Sequence, residues 1–486
     1  MKKVALFLSL SLILGYFSTL NAQWVSPGNG TIYTMSELVN VTEGVVTFES
    51  NNYYIHADLT ISPNDVLKID NGFTKIFVEN ALITVKGSMI CENDNRVSVM
   101  GDPHFSMRFE NATGCEIKKM YFSDGNGIKV IESDVDFIDT KFLYFTRDYA
   151  NAVIDFMNCN PTIEDCIFMM NESAAISSPA NGQGSPQILN CTFDANADSN
   201  GFNSPQINLG PGGDDTIRIV GNNIDDRWAS WHVGGISVAD LMGTGSTKVL
   251  LKDNVISNGR YGYNQQGLTI SSVIERNQFI DNHYEDNPMN GGSGISIYGM
   301  NENNKAIIRD NIITGNLWGI TAIYAFDIDL GTEDDWGNNQ IHDNGNNGVI
   351  YDLYDNSTCN IMAIGNNWGT IDEQEVEDHI FHQNDDPSLG LVTFIPFVGY
   401  DDAVNEFSEA GFSIAPNPIT NDNFTLILEK ATPSEMVIYN LNGQLIKSQQ
   451  IDNKENTINI ESLESGVYFV EVKNAIGKTV KRIVVG

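Results

Sequence analysis

From residue 120 onward the chain repeats a short unit: a small or polar residue, a variable one, then a large apolar one. It reads NNI at 222, NVI at 254, NQF at 277, NII at 311, NQI at 339 and NNW at 366, with CTF at 191, CIF at 166, TKF at 140 and MYF at 120 in the same slot. These ten anchors lie 20 to 34 residues apart. Several extend to Asn-x-apolar-x-x-Asn, ending at Asn282, Asn316 and Asn344. A second marker follows, a small residue then an aliphatic one: GI at 127 and 235, GL at 267, GI at 294 and 319, GV at 348. Short β-branched and aromatic runs between Gly, Asn and Asp clusters, without amphipathic helical spacing, predict a solenoid of short strands. Stacked turns place equivalent residues about 4.8 Å apart. Phe168, Phe193, Ile224, Ile256, Phe279, Ile313 and Ile341 then form an interior column, and the asparagines a ladder of side-chain amides that satisfies polar groups at the bends.

With these repeats, residues 54–398 resemble the right-handed parallel β-helix proteins, the broad group of pectate lyases, polygalacturonases and NosD-like repeat proteins. The resemblance implies the handedness, which agrees with the right-handed crossover preference. YYIHADLTISPNDVLKIDNG resembles the first turns of such proteins, which leaves residues 23–53 as an N-terminal cap region. A solenoid must cover its open edges. TIDEQEVEDHIF (370–381) supplies a Thr370–Glu373 capping box and so predicts a short helix, followed by the strand LVTFIPF. Trp368 and His379 in this stretch are read as cap packing.

The repeat ends in a polar linker, residues 399–412. Residues 413–486 alternate apolar and polar positions between Asn-Gly and Ser-Gly turns, the pattern of a small β-sandwich, so the expected fold class is all-β: a β-helix followed by a sandwich. Ala415-Pro416-Asn417-Pro418, Asn442-Gly443 and Ser465-Gly466-Val467-Tyr468 resemble the C-terminal sorting domain of the type IX secretion system. That resemblance implies the secretion machinery as a partner, export across an outer membrane, and removal of the tail with release or surface attachment. Residues 1–22, with Lys2, Lys3 and an apolar run from Val4 to Phe17, read as a signal peptide. No later segment offers the roughly 18 to 20 uninterrupted apolar residues of a membrane span.

The net charge is −36, and residues 23–400 carry 18 basic and 51 acidic residues against 7 and 8 in residues 413–486. So acidic a solenoid excludes nucleic acid as a partner, while its carboxylates are compatible with calcium. Of the acidic runs, DIDLGTEDDW (327–336) lacks the EF-hand spacing and is read as solvated acid. Six cysteines are too few for a disulfide-built scaffold, and Cys166 and Cys191 share one slot as an internal thiol stack. The chain is expected to be a monomer.

Arg227 falls in the slot held elsewhere by Asn282, Asn316 and Asn344, so the ladder breaks at NNIDDRWASWH (222–232). The loops after this slot would gather Trp228, Trp231, His232, Tyr261, Tyr263, His283, Tyr284 and Trp318 on one flank as a carbohydrate-binding surface, since flat aromatic faces suit sugar rings. In a lyase, Asp225, Asp226 or Asp286 would help bind calcium and Arg227 or Arg260 would abstract the proton beside a uronate carboxylate. In a hydrolase, Asp226 and either Glu285 or Asp286 would act as acid and base. Of the polygalacturonase motifs only Gly213-Asp214-Asp215 remains, and no Gly-His-Gly occurs. The sequence therefore leaves a polysaccharide lyase or hydrolase, a surface adhesin and a purely structural solenoid open, with Arg227 pairing with Asp225 or Asp226 under the last.

Overall fold

The computed structural model describes residues 23–70, 75–91, 96–197, 204–227, 232–243, 246–283, 291–346, 349, 351–400, 411–474 and 478–486. The chain divides at residue 400 into two compact units.

In the first unit a turn consists of three short strands. Asn223–Asp225 lies on face one, Ile236–Asp240 on face two and Thr247–Lys252 on face three; the next strand, Val255–Ser257, then pairs in parallel with Asn223–Asp225. The same one-to-one parallel register recurs from turn to turn along all three faces, which makes the unit a parallel β-helix. On face one the expected column is present: Phe168, Phe193, Ile224, Ile256, Phe279, Ile313 and Ile341 are register partners and fully buried. On face two the matching column runs Ile176, Ile207, Ile236, Tyr263, Ile295, Ile320, Leu353 and Ile380.

The corner from face three to face one shows why the repeat needs its asparagines. A residue in the left-handed region bends the chain there, among them Asp165, Asn190, Gly221, Asp253, Arg276, Asp310, Asn338 and Gly365. Asn, Asp and Gly adopt that conformation most readily. The next side chain then turns inward. Asn254 Oδ1 accepts from Asn222 N and Nδ2, both at 2.9 Å, while its own Nδ2 donates to Ile219 O at 2.9 Å. The same pattern links Asn277, Asn311, Asn339 and Asn366. Upstream the column is held by Cys191 and Cys166, whose thiols take the same backbone contacts, and by Thr140. All six cysteines are free thiols.

The ends are closed by local devices. Within the N-terminal cap region, Trp24–Val25 and Ile32–Thr34 already pair in parallel with the coil, and helix α1 (Met35–Val41) carries a Thr34–Glu37 capping box. The buried Asp65 carboxylate gathers the backbone N–H groups of Gly28, Gly30 and Thr31 at 2.7 to 2.9 Å. At the other end helix α2 (Glu373–Asp378) is capped by Asp372, not by Thr370, whose hydroxyl instead bonds Glu375. The shorter Asp372 side chain reaches Gln374 N and Glu375 N directly. In the acidic run at 327–336, Asp327, Glu333, Asp334 and Asp335 are exposed, while Asp329 and Asp335 pair with Arg309 and Asp327 with Lys305.

The second unit has a three-stranded sheet (Phe412–Ala415, Asn423–Leu428, Glu455–Asn459) and a four-stranded sheet (Leu445–Ile451, Ser434–Asn440, Gly466–Asn474, Lys478–Val485), both antiparallel. They share one core around Phe424, Leu426, Met436, Ile438, Ile458 and Val470, as in a sandwich.

Asn277→Ala removes five buried hydrogen bonds, to Leu251 O, Glu275 O, Asn311 Oδ1, Asn254 N and Asn254 Nδ2. Because unsatisfied buried groups bear the full desolvation penalty, it should destabilise the coil by at least ~3 kcal/mol, read as a lower urea midpoint.

Candidate functional site

A second amide column stands at the corner from face one to face two. Asn282 Nδ2 donates to Ile256 O (3.1 Å) and Asn316 Oδ1 (3.0 Å); Asn316 continues to Asn344, and Asn344 to Asp352 Oδ1 (2.8 Å). Asn171 and Asn196 hold the same column upstream. In these turns a left-handed residue precedes the column residue: Met170, Ala195, Asp281, Gly315 and Asp343. Asn258 does the same before Gly259.

At the break, Asp226 would be that left-handed residue, yet its φ is not positive. Its side chain therefore enters the coil and Arg227 is turned out, reversing the expected placement. Asp226 is 1% exposed; Oδ1 accepts from Gln206 Nε2, and Gln206 Oε1 in turn accepts from Asn196 Nδ2 at 2.6 Å. Oδ2 is buried with no hydrogen-bond partner among the described residues and fills the space that a side chain at Gly259 would need. Burial pushes the Asp226 carboxyl up to about 8, with smaller contributions from Asp225 and Asp194 against the Gln206 hydrogen bond.

Arg227 Nη2 pairs with Asp225 Oδ2 at 3.1 Å, and Asp225 Oδ1 also accepts from Asn258 Nδ2 at 2.9 Å. Both Asp225 oxygens are thus engaged, Oδ1 by Asn258 and by Arg227 N and Oδ2 by the Arg227 guanidinium. Among the described residues no group of three His, Cys, Asp or Glu side chains is placed to hold a metal ion. Arg260 is half-buried, its side chain packed beside Gly291. Tyr261 is buried against Gly234, and Tyr263 is a member of the interior column, 0% exposed, with its hydroxyl donating to Gln265 Oε1 at 3.1 Å. Neither tyrosine faces a ligand. The marker at GL267 is out of phase; Gly262-Tyr263 pairs with Gly235-Ile236 and Gly294-Ile295, which sends Tyr263 inward. His232 is half-buried, and His283 is exposed with Nδ1 2.8 Å from Gly315 O. Trp228, Trp231, Tyr284, Glu285 and Asp286 lie outside the described residues.

The outer side of face two offers a different constellation. Strand alternation directs Ser177, Asn208, Ser237, Asn264, Ser296, Thr321, Tyr354 and Phe381 to one outward column, opposite to the aliphatic one. At its C-terminal end aromatic rings accumulate. Trp318 stacks on Tyr351 (5.1 Å, 7°) and Tyr354 on Phe381 (4.8 Å, 15°). Beside them a groove of about 680 Å³ is lined by Tyr298, Gly299, Met300, Tyr324, Asn356, Ser357, Thr358, Ser388 and Leu389. Tyr298 and Tyr324 meet edge-on at 4.9 Å, and Tyr324 is 60% exposed.

Tyr324 has φ +68°, a conformation that a bulky side chain rarely adopts. Its register partners in the two preceding turns are Gly299 and Gly267, and Gly267 also has positive φ. The ring is thus displayed from a position suited to glycine.

A smaller cleft of about 490 Å³ lies against helix α2, with His342, Asp343, Glu375 and His379 in its walls. His379 Nδ1 bonds the fully buried Asp352 Oδ2 at 3.1 Å, which ends the second amide column. That hydrogen bond raises the His379 imidazole above its ordinary range, and burial raises Asp352 despite it. His379 is thereby a fastening of the cap to the last turn.

Residues 413–486 match the secretion system C-terminal sorting domain, and residues 263–374 match DUF1565, a protein family of unknown function. No curated protein matches the chain. Among solved structures, a point mutant of the periplasmic alginate epimerase AlgG (TM-score 0.46) and AlgG itself (0.45) are each 12% identical over 75% of this chain and 83% of theirs. Likeness of this degree says nothing about ligand or chemistry. The protein is an exported parallel β-helix with a type IX sorting tail, destined for the cell surface or the medium. No helix among its described residues is long and apolar enough to cross a membrane.

Asp226 supplies a test of its placement. Its carboxyl titrates near 8 in the folded chain and near 3.9 when unfolded, so between these values the native state holds a proton that the unfolded state has lost, and stability falls as pH rises. Asp226→Asn mimics the protonated acid. It should match the parent near pH 4 and exceed it by several kcal/mol above about pH 8, where deprotonation would otherwise charge the interior; parallel pH profiles of thermal unfolding would refute the burial.

Proposed function

We propose that the protein is a surface or secreted polysaccharide-binding β-helix whose ligand lies along the outer side of face two, in the groove at Tyr298 and Tyr324. The observation that carries this reading is Tyr324: a large ring, well exposed, held in an unfavourable backbone conformation at the edge of an open groove. Strained residues persist where surrounding structure over-determines them, and they cluster at ligand sites. Concave sites with apolar and aromatic walls and a few polar groups are the usual form of a ligand pocket, and an exposed ring edge pair suits the flat face of a pyranose.

Binding without cleavage is favoured over a lyase or hydrolase. Asp226 is closed inside the coil, while Asp225 and Arg227 neutralise each other. General acid–base work needs groups within reach of the scissile bond, and the groove walls hold no ionisable carboxylate or imidazole.

Affinity electrophoresis of the purified protein through gels containing a broad set of polysaccharides should give retardation by at least one of them. Tyr298→Ala and Tyr324→Ala should each weaken it by about tenfold, the scale of one lost aromatic contact. Incubation with the retained polysaccharide should yield neither new reducing ends nor unsaturated products. Turnover would establish an enzyme, and retardation unchanged in both variants would remove the site from this groove.

A further inference from the structure

Resting on that reading, we infer that the groove selects uncharged polysaccharide and rejects polyuronates. The argument begins with its walls. Each of the nine lining residues is uncharged, the polar ones being hydroxyls and one amide, from Asn356, Ser357, Thr358 and Ser388 together with the two tyrosine hydroxyls. Such groups exchange hydrogen bonds with sugar hydroxyls at little desolvation cost. A carboxylate stripped of water in the same place would need a cation or a bidentate arginine to compensate.

No lysine or arginine is available from this part of the chain, and its histidines, His342, His379 and His382, are each paired with a carboxylate. Residues 310–400 contain sixteen Asp and Glu residues and not one Lys or Arg. In the outward column of face two the charges are found at its other end, where Arg108, Lys129 and Asp155 are register partners, and from Ser177 onward that column is uncharged; Asp240 and Asp355 on the same face are buried. The nearest basic side chains before residue 310 are already committed, Arg309 to Asp329 and Asp335, and Lys305 to Asp327. A polyanion following the groove would therefore meet uncompensated negative potential over several turns. At low salt this acts over distances of the order of 30 Å, at physiological salt about 8 Å.

The uncharged column sets direction as well as class. Ser237, Asn264, Ser296 and Thr321 succeed one another along the coil axis at the spacing of the turns, and Tyr354 and Phe381 continue the line. Ser237 and Thr321 are buried, the first hydroxyl bonded to Asn264 Nδ2 and the second to Ser293 Oγ, so a linear glycan lying parallel to the axis would meet the half-buried Asn264 and Ser296 before it reaches the aromatic end.

The test is titration calorimetry of the purified protein with soluble neutral glucans, xylans and mannans and with polygalacturonate and alginate, at about 0.02 and about 0.3 M salt. Binding of a neutral polymer with an affinity that differs by less than about twofold between the two salts, and at least tenfold weaker binding of both polyuronates, is the expected result. Polyuronate binding as tight as any neutral polymer overturns the selectivity while leaving polysaccharide binding intact. Heat from neither class overturns both. Tyr324→Gly then separates groove from scaffold: it relieves the positive φ, so its melting temperature should equal or exceed the parent's while neutral-polymer affinity falls at least tenfold. Retained affinity in that variant would place the binding surface elsewhere and overturn the inference.

Discussion

The coil depends on one requirement: every corner turns the backbone away from its neighbouring strands, and the amides exposed there lie inside the tube, out of reach of water. A side chain must supply what strand pairing cannot. Asparagine is the residue that carries a donor pair and an acceptor on a short stem, so one residue can bond a carbonyl and the backbone amide of the preceding turn's corner while its Nδ2 also reaches the asparagine of the next. In the column from Asn222 to Asn366 each rung completes the one before it. Threonine or cysteine can stand in where the link to the next side-chain amide is dispensed with, as Thr140, Cys166 and Cys191 do near the start of the column.

The second column shows what happens when that requirement is met differently. At Asp226 the chain omits the left-handed bend, an acid takes the interior position, and Gln206 relays from it to Asn196. Gly259, one turn further on, is the necessary complement, because the carboxylate occupies the volume that its side chain would fill. The column is bridged rather than broken, and the adjoining turns retain their register on all three faces.

The buried half of the fold was legible in the sequence because the interior imposes one residue type at one slot, turn after turn; Phe279 and Asn277 reveal themselves by recurrence. The outward half has no such discipline. Tyr298 and Tyr324 carry no repeat signature; the strand phase from Gly294-Ile295 followed by alternation leads to Tyr298, whereas Tyr324 falls on the inward phase from Gly319-Ile320 and is displayed outward at a residue of positive φ. Where the phase was misread at GL267, Tyr263 was assigned to solvent although it lies in the core. Asp226 and Arg227 exchanged roles for a local reason: a backbone angle decides which of two adjacent side chains points inward, and the letters alone do not state it. The small-residue and aliphatic spacing was thus sufficient for the fold and insufficient for its surface.

The cysteines give the coil a further property. Cys166 and Cys191 occupy consecutive rungs of one column, each sulfur engaged with backbone groups, and burial drives the Cys166 thiol well above its ordinary range. Cys91 is raised likewise, and Cys115 to about 11. Since the thiolate is the reactive form, closure of the coil suppresses the chemistry of its own sulfurs. In this folded form the four buried thiols, Cys91, Cys115, Cys166 and Cys191, serve the coil as inert filler and not as cross-links.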